Sequence, residues 1–456
     1  MKIILEQSDD DLQKHPGMLL IDNLLNHFNF SLFNSLSNKT QNKRWIPNSS
    51  IIKSCIFLQC FAMPDFHDVK EMCQDSLFTS LIGFKLSPET YRLRMDFLAK
   101  EKNIHQLIDS LTVNILKNVT FNTITINKKE YYTLDIDVTP FENPNVKKEG
   151  ISCTYKKIDG YAPIMAYLCQ YALCFDLREG SQHSEKGAVE FLNRVLDMVH
   201  KIGIPMDKIL VRVDSAHDDA KFTDACIHNH VKFIIKRNHR KETYTEIIAA
   251  MRANIKPIES RHGNHNIYFC CNKNIFPSNA EEHDLYVAFK LKEKFTKNSL
   301  LSCLSDKDKP CELVSYWTNL DIIDSKISKY FSNTSQECDR LYRDHATCEQ
   351  YHSEIKSDMN MELLPSKYFA TNKLFLHIAT VSFNILRIIG DHAIHNDKNF
   401  QHHKNEPTIR IRLRTVIDKI CTIAYKIVHH ARKIFIKFGK NAFFYDTFVK
   451  IYRATS

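Results

Sequence analysis

One ten-residue stretch, residues 131–140, constrains the fold more than any other part of the chain, because it alternates apolar residues with acids. The alternating residues are Leu134, Asp135, Ile136, Asp137, Val138 and Thr139. Successive side chains of a strand point to opposite faces, so one face would be apolar and the other would carry two carboxylates. Asp is depleted in strands and costly to bury without a partner. The stretch therefore predicts either a buried strand with a divalent-cation site or an edge strand with a solvated acidic face.

The order of elements around this stretch predicts the fold class. Apolar clusters at helical spacing predict a helical N-terminal domain over residues 1–128, in which one helix begins with Ser87 as its cap and Pro88 in its first turn. Residues 129–238 then predict three strands, the last two paired as a hairpin, followed by helix, strand, helix and strand. Antiparallel strands first and parallel strands later predict an α/β fold with an RNase H-like mixed sheet, the first part of a catalytic core.

The second half of the chain breaks this pattern. Extended stretches separated by Lys- and Ser-rich turns predict a β-rich insertion over residues 239–337, separate from the first sheet. Helical signal returns over residues 338–400, which complete the core. Their most apolar run, residues 374–389, is too short for a membrane span and predicts a core helix. Residues 401–456 predict a basic helical tail.

The positive charge of the chain is concentrated in that tail. The whole chain has a formal net charge of +9. Residues 401–456 alone hold twelve Lys or Arg against three Asp or Glu. This asymmetry favours a polyanionic partner, although a solvated basic face would look the same. The fourteen Cys are scattered without a Cys-x-x-Cys pair and without a secretory signal, which is typical of reduced thiols in a cytosolic protein.

A third acid follows the insertion. Tyr342, Glu349 and Lys356 are spaced seven residues apart, so they share one face of a helix, and His345 lies one turn beyond Tyr342 on the same side. Such a stripe is either a solvated, salt-bridged face or part of a site.

Three acids on separate elements indicate a metal site more specifically when they are considered together than any one of them does alone. Asp137 lies on the first strand of the predicted core and Asp214 at the end of the fourth, and those two strands are neighbours in this fold. With Glu349 they would offer three hard oxygen ligands, which suit Mg²⁺ or Mn²⁺ better than zinc. A pair of such ions about 4 Å apart can activate a nucleophile and stabilise the leaving oxygen in phosphodiester attack. The three acids therefore predict phosphoryl transfer on nucleic acid.

The chain resembles DDE transposases of bacterial insertion sequences, of the type with a group-one DDE domain, over nearly its whole length. The segments that carry the resemblance are residues 134–139, 160–163, 178–184, 211–215, 318–320, 342–349 and 430–433. The resemblance implies a DNA transposase, an endonuclease and polynucleotidyl transferase, with Asp137, Asp214 and Glu349 as catalytic metal ligands for Mg²⁺ or Mn²⁺. Asp135, two residues away on the same strand face, is the rival for the position of Asp137.

The same resemblance implies residues that hold DNA. Tyr342, Glu349 and Lys356 match the family's Tyr-(2)-Arg-(3)-Glu-(6)-Lys signature, but His345 stands where the family has Arg. Arg clamps a phosphate with two donors at any pH, whereas His offers fewer donors and is mostly neutral at pH 7. Trp317, in the insertion, is the candidate for stacking on a displaced base; the alternative is a Trp packed within its own β layer.

The implied partners are double-stranded DNA, as the element's terminal inverted repeats and as target, and a second copy of the chain in a synaptic complex. The expected location is the bacterial cytoplasm at the nucleoid, with no membrane association. Two alternatives stay open. One is a metal-dependent nuclease of the same fold that does not join strands, and the other is a catalytically weakened relative that only binds DNA.

Overall fold

The computed structural model of the chain describes residue 3 and residues 10–36, 46–144, 147–239, 244–260, 265–276, 283–294, 311–320, 332–401 and 408–456. Its N-terminal part is helical. The helices are α1 (Met18–His27), a 3₁₀ helix (Phe30–Ser35), α2 (Asn48–Cys60), α3 (Asp68–Met72), α4 (Ser76–Ile82), α5 (Pro88–Leu98) and α6 (Ile104–Leu116). At the start of α5 the Ser87 side chain accepts a hydrogen bond from the Thr90 amide and Pro88 occupies the first turn, as predicted.

The central part is the predicted mixed α/β arrangement. Its elements are β1 (Ile124–Ile126), β2 (Lys129–Val138), β3 (Phe141–Glu142), β4 (Ser152–Cys153), β5 (Asp159–Tyr161), β6 (Ile164–Leu168), β7 (Tyr171–Asp176), α7 (Ala188–Ile202), β8 (Ile209–Val213), α8 (Ala220–His228) and β9 (Lys232–Lys236). Strand β2 lies between β6, to which it is antiparallel, and β8, to which it is parallel, and β9 follows β8 in parallel. The β6–β7 hairpin and the RNase H-like mixed sheet are therefore confirmed.

The insertion extends this sheet. It contains α9 (Thr245–Asn254), β10 (Ile258–Glu259), β11 (His265–Phe276), β12 (His283–Lys294) and β13 (Cys311–Thr318). The strand order is β10-β11-β12-β13-β9-β8-β2-β6-β7, because β13 pairs antiparallel with β9, with Trp317 opposite Ile235. The prediction of a separate β unit is wrong. The reason is physical: without β13, the backbone donors and acceptors on the outer side of β9 would form an open sheet edge.

After the insertion the chain is helical up to the tail. Its elements are α10 (Ser332–Asp344), α11 (Thr347–Ser353), a π-helical turn (Glu354–Asp358) and α12 (Phe369–Asn396). Helix α12 packs against β7, α2 and α6. By length and composition α12 could cross a membrane, but 94% of its most apolar window is buried inside the protein. The core helix predicted from residues 374–389 is confirmed.

The tail is only partly helical. It contains α13 (Leu413–Val416), a π-helical turn (Ile417–Cys421), β14 (Tyr425–His430), β15 (Lys433–Phe438) and α14 (Tyr445–Thr455). The prediction of a wholly helical tail is wrong, because β14 and β15 form an antiparallel hairpin. Ala431 and Arg432 at its turn both have positive φ, 50° and 60°, as a tight two-residue hairpin turn requires. The period-two alternation of Tyr, Ile, Val and Phe in these strands was the signal for it.

Candidate active site

Neighbouring parallel strands bring the first two predicted acids to one edge of the sheet. Ile136 of β2 is in register with Val213 of β8. The next residues along the two strands, Asp137 and Asp214, therefore lie side by side at the carboxyl ends, where polar sites of α/β sheets form. Both line a cavity of about 810 Å³. The other predicted site residues on its wall are Tyr342, His345, Glu349 and Lys356.

The two aspartates have different electrostatic environments. The Asp137 side chain is 22% exposed, and burial together with the charge of Asp214 raises its pKa to about 6. Burial also acts upward on the pKa of Asp214, but the hydrogen bond and charge of His217 outweigh it, and the pKa of Asp214 is lowered. Nδ1 of His217 lies 3.0 Å from Oδ1 of Asp214. Of these two aspartates, Asp137 is thus the one whose negative charge is less compensated.

This donor set fits divalent cations with a preference for oxygen ligands. Asp137, Asp214 and Glu349 contribute three carboxylates to the lining of one cavity, and the negative charge of Asp214 adds to burial in raising the pKa of Asp137. A cation between them would offset that negative charge. Lys156, Lys236 and Lys356 line the same cavity and place positive charge near these carboxylates.

A tighter group of metal-ligating side chains occurs elsewhere among the described residues. One oxygen of Asp109, the thiol of Cys174 and a ring nitrogen of His377 lie within 4.8 Å of one another. Arg194 donates to both carboxylate oxygens of Asp109, at 2.9 and 2.9 Å. A guanidinium therefore already occupies the cation position in this group, which is an internal ion-pair network between α6, α7 and α12.

The structure separates the two rivals for the first acid. Asp135 is 2% exposed, and Arg212 on β8 donates to both of its oxygens, at 2.7 and 2.6 Å. Nδ1 of His345 lies 2.8 Å from Oδ1 of Asp135. Burial acts upward on the pKa of Asp135, but Arg212 and His345 outweigh it and hold the pKa below its usual value. Asp135 is thus enclosed by its partners, and Asp137 is the acid on the cavity wall.

Two buried ion clusters fix the helix that carries Glu349. At its start, Arg212 also donates to the Leu341 carbonyl at 2.7 Å and so ties the end of α10 to β8. At its end, Glu354 is 1% exposed and accepts from Arg387 of α12 at 2.6 Å. Between these anchors, α11 holds Glu349 at the cavity that Asp137 and Asp214 also line. The predicted single stripe is divided between α10, α11 and the π-helical turn, but all its members reach the same cavity.

The predicted DNA-holding residues fall into two groups. Tyr342 and Lys356 line the cavity, and the Lys356 ammonium donates to the Pro140 carbonyl and lies 3.5 Å from Oε1 of Glu362. His345 also reaches the cavity but is 7% exposed and bound to Asp135. Trp317 is 7% exposed, sits inside the sheet and has the Arg237 guanidinium 4.5 Å from its ring centre. Trp317 is not among the described residues that line the cavity.

Tyr155 is a residue at the site that sequence reasoning missed. It is 61% exposed in the turn between β4 and β5, and its hydroxyl donates to the Val138 carbonyl at 3.2 Å. Burial of the hydroxyl and the charges of Asp137 and Asp214 raise its pKa to about 12. Tyr155 also lines a second cavity of about 770 Å³, which shares Asp214 and Val138 with the first. The sequence signal that could have indicated Tyr155 is an aromatic residue followed directly by two lysines in a turn.

Close backbone contacts explain two glycines near this turn. Strands β3, β5 and β4 form a small separate sheet. A Cβ at Gly160 would lie 1.9 Å from the Phe141 carbonyl oxygen. A Cβ at Gly180 would lie 2.2 Å from the carbonyl oxygens of Gly160 and Ser152. Only glycine fits at these positions, and the small sheet that presents Tyr155 depends on both of them.

Three comparisons with known proteins complete the description of the site. The family model described as "Transposase DDE domain group 1" matches residues 2–272. No curated protein sequence matches the chain. Among solved structures, the chain is similar to one titled "Cryo-EM structure of piggyBac transposase synaptic complex with hairpin DNA", at 13% sequence identity and a TM-score of 0.38, with 89% of this chain and 81% of that chain covered.

The family match spans more than half of the chain and includes both Asp137 and Asp214. Members of this family are DDE-type DNA transposases, polynucleotidyl transferases that act with divalent metal ions. The chain belongs to the transposase DDE domain group 1 family.

Proposed function

We propose that this transposase cleaves DNA at the ends of a bacterial insertion sequence and joins those ends to target DNA, using Asp137, Asp214 and Glu349 as ligands for two Mg²⁺ or Mn²⁺ ions. The observation that carries the proposal is the convergence on one cavity of three carboxylates, one from β2, one directly after β8 and one from α11. They come from positions 77 and 135 residues apart in sequence, so local structure does not account for their meeting.

The metal ions, when bound, supply activation of a water or 3′-hydroxyl and stabilisation of the leaving oxygen. The protein's own residues hold and orient the DNA. Lys156, Lys236 and Lys356 bind phosphates along the cavity wall, and the Tyr342 hydroxyl contributes a hydrogen bond. His345 acts mainly through Asp135, by fixing the start of α11. Trp317 stabilises the sheet beneath the cavity, and a base-stacking role for it would require the ring to leave its packed position.

Tyr155 is a better placed base-stacking residue. It is exposed and borders both cavities at the point where they share Asp214. A phosphodiester links two nucleosides, so the DNA strand continues from the reacting phosphate in two directions. We infer that the strand runs from one cavity into the other, with a base next to the reacting phosphate stacked on Tyr155.

The remaining parts of the chain supply recognition and assembly. Residues 1–128 bind the element end, residues 129–238 and 338–400 form the catalytic core, residues 239–337 extend its sheet, and residues 401–456 contact DNA or partner. Two element ends have to meet for joining, so the active form is a homodimer on the terminal inverted repeats and target DNA. The protein acts on the nucleoid in the bacterial cytoplasm.

Cleavage of a duplex carrying the element's own end tests this proposal. Purified full-length protein is incubated with the duplex in Mg²⁺, in Mn²⁺ and in EDTA, beside the Asp214→Asn variant. We expect nicking at the element boundary that depends on metal and is lost in the variant. Specific binding without cleavage in either metal would favour the DNA-binding relative, and scattered cleavage of any duplex without strand joining would favour the nuclease.

A further inference from the structure

The β14–β15 hairpin in the basic tail has an anchored base and an exposed tip. At the base, Tyr425 is 1% exposed and its hydroxyl donates to Asp75 at 2.7 Å. The Phe438 ring lies 5.1 Å from the Phe448 ring of α14. At the tip, Ile434 is 65% exposed and Phe435 is 41% exposed. The hairpin is therefore held at one end and extends into solvent at the other.

Cross-strand register gives the hairpin two different faces. The inner face carries the pairs Tyr425–Phe438 and Ile427–Ile436, which pack against the protein core. The outer face carries alternate pairs, and these are Lys426–Lys437, Val428–Phe435 and His430–Lys433. The outer face thus has basic side chains at both ends and an apolar pair between them.

The charge on this segment is of one sign. Residues 419–445 contain six Lys or Arg and no Asp or Glu. Lys426 pairs with Asp10 of the N-terminal segment at 3.0 Å. In the described part of the chain, Arg432, Lys433 and Lys437 make no ion pair. Like charges directly opposite on neighbouring strands, such as Lys426 and Lys437, are destabilising, and a bound polyanion would offset that cost.

We propose that the hairpin is a DNA-binding ribbon whose outer face lies on duplex DNA, with Arg432, Lys433 and Lys437 contacting phosphates and the Val428–Phe435 pair resting on the groove. A two-stranded ribbon fits the major groove of B-DNA. This inference rests on the proposed function, because it takes duplex DNA as the partner.

A second copy of the chain is the less suitable occupant of this face. In a two-fold symmetric contact the same patch would face itself. The Lys426–Lys437 and His430–Lys433 pairs would then bring positive charge against positive charge from the two copies. The apolar centre is one residue pair wide, which is small for a stable protein interface.

Binding to a duplex of arbitrary sequence tests the ribbon without any need for cleavage. The full chain is titrated in EDTA against a fluorescein-labelled duplex of about 30 base pairs over a range of salt concentrations, and the slope of log K against log salt is measured. The test variant is Lys433→Ala/Lys437→Ala. The matched control is Lys201→Ala/Lys208→Ala, which removes two exposed lysines, one in the last turn of α7 and one directly before β8. A Lys433→Arg/Lys437→Arg variant retains the charges.

We expect the salt slope of the alanine variant to be smaller by about 2, since each lost phosphate contact contributes about 0.9. The control and the arginine variant should keep the wild-type slope. Equal slopes for all variants, with folding unchanged by circular dichroism, would overturn the ribbon and leave the proposed function intact. If the alanine variant differed from wild type in particle mass by light scattering but had the same salt slope, the outer face would instead be an interface between copies of the chain. Failure of the wild-type chain to bind duplex DNA at any salt concentration would count against the proposed function itself.

Discussion

Nδ1 of His345 lies 2.8 Å from Oδ1 of Asp135, so the histidine that we expected in the place of the family's Arg is an internal partner of strand β2. Arg212 occupies the other side of the same carboxylate. The guanidinium and the imidazole together neutralise an acid that is 2% exposed and lies two residues before Asp137. The histidine at this position therefore belongs to a buried cluster that joins β2, β8 and the end of α10, beside the candidate active site.

Removal of Arg212 should destabilise the protein strongly. In Arg212→Met the buried Asp135 keeps only His345 as a partner, and breaking a buried ion pair from one side costs about 3–5 kcal/mol. We expect a large decrease in the urea midpoint of unfolding. Asp135→Asn/Arg212→Met, which removes the charge as well, should recover part of the loss. An Arg212→Met midpoint equal to that of wild type would show that the cluster does not hold α10 and α11 on the sheet.

Asp137→Asn should stabilise the metal-free protein. The pKa of Asp137 is raised to about 6 by burial and by Asp214. A carboxyl group with a raised folded-state pKa disfavours folding increasingly as pH rises from about 4 to 6, and the full penalty of about 3 kcal/mol remains above that range. At pH 8 in EDTA the variant should therefore unfold at a higher urea concentration than wild type. Mn²⁺ should stabilise wild type but not the variant. A destabilised variant would mark Asp137 as a structural residue.

Glu349→Gln should separate catalysis from DNA binding. Glu349 is exposed on the cavity wall and makes no ion pair within the described residues, so the isosteric amide should leave the fold unchanged. Loss of one of three metal ligands should abolish cleavage of the element end, while affinity for the same duplex in EDTA stays within about twofold, a difference below 0.5 kcal/mol. Parallel loss of binding and cleavage would point to a role in DNA recognition or folding instead.

Tyr155→Ala should lower the cleavage rate, and Tyr155→Phe should retain most of it. A stacked base needs the ring and not the hydroxyl, and one stacking contact contributes about 1–3 kcal/mol. We therefore expect a decrease of about 5- to 150-fold for the alanine variant. On substrates with an abasic site next to the reacting phosphate, the wild-type cleavage rate should decrease. The rates of wild type and Tyr155→Ala should then be equal. A difference that persists on abasic substrates would exclude stacking as the cause.

Acidification should destabilise the protein partly through His105. Burial and the charge of His377 lower the pKa of His105 to about 3, from an ordinary value near 6.5. Between these two pH values the unfolded chain binds a proton that the folded chain does not, so this residue makes stability fall as pH decreases below about 6.5. His105→Gln should flatten the slope of stability against pH by up to about 1.4 kcal/mol per unit. An unchanged slope in His105→Gln would show that this residue does not contribute to the acid destabilisation.

Local sequence patterns determined much of this protein. The alternation around Asp135 and Asp137 defined β2, and the element order that follows predicted the β2–β8 pairing that brings Asp137 to Asp214. Ser87 and Pro88 marked the start of α5 correctly. These features depend on strand and helix periodicity and on capping chemistry, which are encoded within a few neighbouring residues.

Tertiary structure decided what depends on residues far apart in the chain. The engagement of Asp135 by Arg212 and His345 follows from the register of β2 with β8 and from the end of α10, 77 and 210 residues away along the chain. The insertion strands extend the main sheet because β13 pairs with the otherwise open edge of β9. Tyr155 lies at the candidate active site because its turn belongs to a small sheet whose close packing requires Gly160 and Gly180. Burial, edge pairing and ion pairing are satisfied by whichever partner the fold brings close, and local sequence does not specify that partner.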